Sequence, residues 1–276
     1  MPPDKLPKAM VRQPAVAGRF YSSNAKQLAR DVDEYAPAAP EKIRATACVV
    51  PHAGLMYSGH VAGAVYAALE LPRRAILMGP RHFPRGQAMA ILTEGSWQTP
   101  LGEAPVDSAL AVEVARACPR LRDDAVAHER EHSLEVQLPF LQRMVPGFCF
   151  VPIVLGTDRY PSLEELGHAV AKVVAAQTEP VLVIASTDMN HYESDAITRA
   201  KDERAIARIL ALDPRGLYDT VRSEGITMCG YAATTAMLVA ALDLGVKEAE
   251  LVRYATSSDI TGDTNEVVGY AGMILR

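Results

Sequence analysis

Excess positive charge is missing from this chain: 28 Lys and Arg stand against 33 Asp and Glu, a formal net charge of −5. No nucleic-acid partner is therefore expected, because phosphate recognition needs a basic face. Also missing is any run of about 18 apolar residues, the length a helix needs to cross a bilayer, so no membrane partner is expected either. The opening MPPDKLPKAM is polar and lacks the apolar core of a signal segment. These absences make a cytoplasmic protein the expectation. Cys48, Cys118, Cys149 and Cys229 lie far apart with no CxxC pair, which speaks against a zinc knuckle or a disulfide framework. No Pro/Gly/Ser-rich linker divides the 276 residues. We expect a flexible tail over residues 1–10 and a single domain over residues 11–276.

What is present is concentrated between Ala45 and Phe83. Two apolar runs, ACVV and AILM, each lead through a turn to a histidine, His52 and His82. Between them, Met56 to Leu69 carries apolar residues at helical spacing, so the stretch reads as a parallel βαβ unit. Ligands of open α/β sheets bind beyond the carboxyl ends of parallel strands, where both histidines would fall side by side. Two further apolar runs, residues 150–158 and 181–191, also end in polar residues, the second carrying Asp188, Asn190 and His191. Helices are expected after Asn24, after Asp107, around SLEVQLPFLQRM with Pro139 as a kink or early turn, over residues 163–176, and in the segments AITRAKDERAIARILALD and GYAATTAMLVAALDLG. The segment through Trp97, Thr99 and Pro100 reads as loop, and LVRYATSS and VVGYAGMIL as closing strands. This alternation predicts an α/β three-layer sandwich around a mixed, largely parallel central sheet.

His52, His82 and His191 all follow an apolar strand at its carboxyl end, a clustering that points to a common pocket. Neutral imidazole is the commonest ligand for iron, copper and zinc, and two histidines with one anionic ligand make an open site. Cys229 stands just before an apolar helix, where unpaired N–H groups and the dipole favour thiolate; it reads as a ligand or nucleophile, or else as a small buried hydrophobe like the other three cysteines. In HEREHSLEVQL, His132 and Glu135 lie three apart on one helix face, with Glu131 beside them. That pair could bind a metal or shuttle protons, or it is a charged helix start capped by Ser133. The polar run SSDITGDTNE, residues 257–266, reads as a loop that could border a site.

Taken together, PAVAGRFY, PHAGLMYSGHVAG, GPRHF, EHSLEVQLPFL, STDMNHY, MCGY, SSDITGD and VGYAGM resemble the Memo family, whose prokaryotic members are called AmmeMemoRadiSam system protein B. The resemblance runs from about Val11 to Arg276. It implies a fold like that of the class III extradiol dioxygenases, with a metal pocket at the strand ends. It implies His52, His82 and Cys229 as metal ligands, His191 as the acid/base with His132 and Asp188 beside it, and Glu135 toward the substrate. Iron or copper is the implied metal, with zinc compatible. Those dioxygenases complete their iron site with a carboxylate, whereas a thiolate is softer and favours copper or zinc more. The system name implies a radical SAM protein as companion. Two functions stand side by side: a metal-dependent, dioxygenase-like oxidoreductase acting on an unidentified small substrate, and a module that holds a peptide or phosphopeptide in an inherited pocket.

Overall fold

Four apolar runs, ACVV (Ala47–Val50), VLVIAS (Val181–Ser186), RAILMGP (Arg74–Pro80) and CFVPIVL (Cys149–Leu155), lie side by side in that order, all parallel. They are nearly continuous in buried residues, as expected of strands covered on both faces. The structure, a computed structural model, describes residues 10–276. On one edge Val267–Leu275 runs antiparallel to Ala47–Val50 and also pairs with Ala249–Thr256 and His191–Glu193. On the other edge Met89–Ile91 and then Arg122–Asp123 complete a nine-stranded mixed sheet.

Parallel neighbours need helical crossovers, and the helices cover both faces. Leu55–Ala68 packs on one face with Ala25–Tyr35 and Leu138–Met144. Tyr231–Asp243 lies on the other, flanked by Tyr160–Ala175 and Pro214–Ser223. Gly167 permits the close crossing there: a Cβ would sit 2.5 Å from the Cβ of Val239. Three layers around a mixed, largely parallel sheet result, as expected. Among the described residues no helix is long and apolar enough to cross a membrane.

Several local readings change. The strands leading to His52 and His82 are parallel and joined by a helix, but Val181–Ser186 is inserted between them, which brings the Asp188 segment into the space between the two histidine loops. Ser96–Thr99 is a strand and not a loop; it pairs with Val11–Arg12 and Gly102–Pro105 in a separate three-stranded sheet. Its strand partner Val11–Arg12 is remote in sequence, so four residues gave no local signal. Pro139 starts a helix instead of kinking one: the single tight turn Glu135–Gln137 leads into Leu138–Met144, where a first-turn proline gives up no intrahelical bond. Pro214–Ser223 is an unforeseen helix capped by Asp213, whose carboxylate accepts from Gly216 N at 2.7 Å. The tail expected over residues 1–10 lies outside the described residues except for Met10, whose carbonyl accepts from Ser96 N at 3.0 Å.

Candidate metal centre

His52 and His82 each stand two residues past the end of a parallel strand, Ala47–Val50 and Arg74–Pro80. His132 comes from the loop before Glu135–Gln137. One ring nitrogen of each lies within 4.8 Å of the others, and the ring centroids are 4.5 to 5.5 Å apart. This cluster could hold a metal ion.

Hydrogen bonds fix which nitrogens are free. Ser186 Oγ donates its proton to the Ser133 carbonyl at 2.6 Å and accepts from Gln137 Nε2 at 2.9 Å. Toward His52 Nδ1, 3.0 Å away, it therefore acts as acceptor, so Nδ1 carries the hydrogen and Nε2 the lone pair. His82 Nδ1 lies 2.9 Å from Glu131 Oε1, and a carboxylate accepts, so its Nε2 is free as well. His191 Nδ1 meets the Thr227 carbonyl at 3.0 Å with the same result. A ligand imidazole held at its far nitrogen by a carboxylate or another acceptor is the usual outer support of a metal site.

Glu131 is the chief orienting group. It is fully buried and accepts backbone N–H bonds from His82 (2.6 Å), His132 (2.9 Å) and Ser133 (2.8 Å). Burial works against its charge, yet the His82 hydrogen bond and the neighbouring imidazoles and amides hold its carboxyl below the usual range. Burial and the facing histidines push His52 well below its ordinary value, and burial also lowers His132. Both are therefore neutral, the form that binds metals. Asp188 Oδ1 accepts from the backbone N–H of His52 (2.7 Å) and Ala53 (3.2 Å); burial raises its carboxyl despite these bonds and the nearby imidazoles.

His52, His82, His132, Asp188, His191 and Cys229 line one cavity of about 790 Å³. Cys229 Sγ lies 3.4 Å from His52 Nε2 and accepts from Asp188 N at 3.3 Å. Gly230 makes this approach possible, since a Cβ there would sit 2.5 Å from the Ser186 carbonyl. The expected thiolate is not favoured in the metal-free protein: burial, then the Asp188 carboxylate, pushes the thiol up. A bound metal would displace that proton.

Glu135 departs from expectation. It is fully buried and does not face the cavity; its carboxylate takes Arg12 Nη1, Tyr21 OH (2.5 Å), Ala15 N (2.8 Å) and Val16 N (3.1 Å). The helix-face argument failed because His132 precedes the turn and is not part of it. Sequence reasoning also missed the aromatic wall of Phe20, Tyr57, Tyr192 and Tyr270, residues scattered over the chain with no shared motif. The polar run 257–266 does border the site, through a one-turn helix at Ser258–Thr261 and through Asp263 and Glu266.

Fold and site together define a three-layer α/β protein with a histidine cluster that could hold a metal at the carboxyl ends of its parallel strands. The chain belongs to the Memo family: the family described as Memo-like protein matches residues 12–274. It is 39% identical to a MEMO1 family protein of Methanopyrus kandleri over 97% of this chain and 99% of that one. It is 38% identical to a MEMO1 family protein of Methanothermobacter thermautotrophicus over 95% and 99%. Among solved structures, an uncharacterized protein of Escherichia coli K12 superposes with a TM-score of 0.53 at 13% identity, covering 83% of this chain and 98% of that one. That likeness concerns the fold alone.

Proposed function

We propose that the protein is a metal-dependent redox enzyme acting on a small organic substrate in this cavity. The observation that carries the proposal is the hydrogen-bond pattern: His52 and His82 are each held at Nδ1 by an acceptor, which leaves Nε2 free to bind a metal. His52, His82 and Cys229 are the proposed ligands, the thiol being 3.4 Å from His52 Nε2. Iron or copper bound there would supply Lewis acidity and one-electron redox chemistry, and zinc the Lewis acidity alone. His191, fixed at Nδ1 by Thr227, offers Nε2 to take a proton from substrate and return it. Asp188 braces the His52 backbone, and His132, stacked on His82 at 4.5 Å, is a second proton carrier. Phe20, Tyr57 and Tyr270 give the cavity the apolar faces that seat an organic ring and exclude water. A phosphopeptide ligand fits less well, because Asp263 and Glu266 line the same cavity and their field repels phosphate.

Protein purified without chelator should carry near-stoichiometric iron or copper and consume oxygen in its presence. His52→Ala and His82→Ala should each lose most of the metal and still fold. His191→Ala should keep the metal and lose turnover by roughly a hundredfold or more. Unchanged metal content in both ligand variants would remove the proposed centre.

A further inference from the structure

A second cavity, of about 780 Å³, adjoins the first and plays no part in the reading above; the two share Phe20 and His132. Its body is apolar, with Phe83, Leu92 and Val126 beside Phe20. Arg19 and Arg130, both exposed, stand along it with their guanidinium groups 6.0 Å from the ring centroids of Phe20 and Phe83. Among the described residues neither arginine pairs with a carboxylate, whereas the cavity's other charged side chains are engaged: Arg12 with Glu135, and Glu129 with Arg85 at 3.5 Å. The cavity therefore presents uncompensated positive charge next to apolar surface. The metal cavity differs in sign, with Asp263 and Glu266 in its wall.

His128 is an independent pointer to a ligand. It lines this cavity and is 1% exposed; one ring nitrogen approaches the Ile91 carbonyl, and the imidazole has no well-formed hydrogen bond among the described residues. A buried polar group left in that state is unfavourable until a ligand or water meets it. Burial and the Arg12 charge hold its imidazole neutral, with the pKa down at about 3, so it is able both to donate and to accept.

We propose that this cavity binds an amphiphilic organic anion. Its apolar body lies against Phe20, Phe83 and Val126, its carboxylate, phosphate or sulfonate sits on Arg19 and Arg130, and a polar atom is offered to His128. Joined to the proposed function, on which this last step alone rests, the cavity is the subsite for the anionic part of the substrate, whose reacting end reaches the histidines past His132.

The chain's single tryptophan supplies a reporter, because Trp97 meets His128 edge-on at 5.8 Å between ring centroids. The probe is 8-anilinonaphthalene-1-sulfonate, titrated into the full chain after metal removal, with its emission read on excitation of Trp97. Saturable sensitised emission at one site per chain is expected. Arg19→Ala combined with Arg130→Ala should weaken binding at least about tenfold, equivalent to about 1.4 kcal/mol. Val126→Glu, at a position 48% exposed and so tolerant of charge, should weaken it comparably with unfolding temperature unchanged. Unsaturable binding, or binding that both variants leave as strong as in the parent chain, overturns the proposal. His82→Ala should lose metal but keep this site, so failure of the metal centre and failure of the anion site are read separately.

Discussion

Glu131 and Glu135 lie four residues apart in one stretch, are both fully buried and both have their carboxylates saturated with donors, yet they serve different ends. Glu135 faces Arg12, a permanent cation, and with Tyr21 and two backbone amides it fastens the segment around residues 12–21 to the body of the protein. Glu131 faces the imidazole of His82 and three amides of the site loops. The first pairing is structural because Glu135 accepts four bonds and has no lone pair left for a ligand. The second leaves the far nitrogen of its histidine free, and so orients an imidazole that could bind a metal. The two are also linked, since Arg12 donates to the Glu131 carbonyl at 2.5 Å and to the His128 carbonyl at 2.9 Å; the clasp thereby steadies the loop that carries the orienting carboxylate.

The strongest way to break this comparison is Glu135→Ala. Leaving Arg12 buried without its partner should lower stability by about 3–5 kcal/mol, measured as a reduced urea midpoint. A change below about 1 kcal/mol would mean that Arg12 reaches water and the clasp is no more than a surface pair. Glu131→Gln should act on metal and not on the fold: a lost outer-shell carboxylate reduces metal affinity by roughly 10- to 100-fold, read by competition with a chelator. If Glu131→Gln binds metal as tightly as the parent while Glu135→Ala does not, the roles of the two glutamates are exchanged.

Asp202 sharpens the comparison from a third side, as a buried carboxyl with no ion-pair partner among the described residues. It accepts from Asn190 N at 2.8 Å and Tyr254 OH at 2.7 Å, and burial pushes its pKa from 3.8 up to about 7. The folded state therefore binds more protons than the unfolded one across that window. Stability contributed by the protonated carboxyl is complete below the lower value and is lost as pH rises toward the upper one, by at most about 1.4 kcal/mol per pH unit. Asp202→Asn should flatten this slope in urea unfolding between about pH 4 and pH 7; an unchanged slope would assign it to another group.

Much of the site was readable because strand-end histidines announce themselves: an apolar run, a turn and a histidine, twice over, required no knowledge of neighbours. Asp188 and His191 followed from the same pattern. The departures have separate causes. For Cys229 the helix start contributes only about 0.3–1 kcal/mol toward thiolate, while burial and the Asp188 carboxylate push the thiol the other way when no metal is bound. Trp97, fully buried, looked like loop because one strand partner, Val11–Arg12, lies some 85 residues earlier and the other, Gly102–Pro105, follows at once after Pro100 and Leu101. The support residues Ser186, Gln137 and Glu131 carry no signature of their own; they matter only because three segments meet at the strand ends.

By itself the sequence determined which runs become the four buried parallel strands, most of the helices that cover them and which histidines follow the strand ends, because these follow from local hydrophobic periodicity and from the chain's turns. It also determined the family, through several motifs in one order. Only the tertiary structure decided that Val181–Ser186 enters between the two histidine strands, that His132 joins His52 and His82, and that Glu135 turns away toward Arg12. Strand order and the partner of Glu135 are set by contacts between segments more than a hundred residues apart, and the meeting of His132 with His52 and His82 likewise joins segments that are remote in sequence.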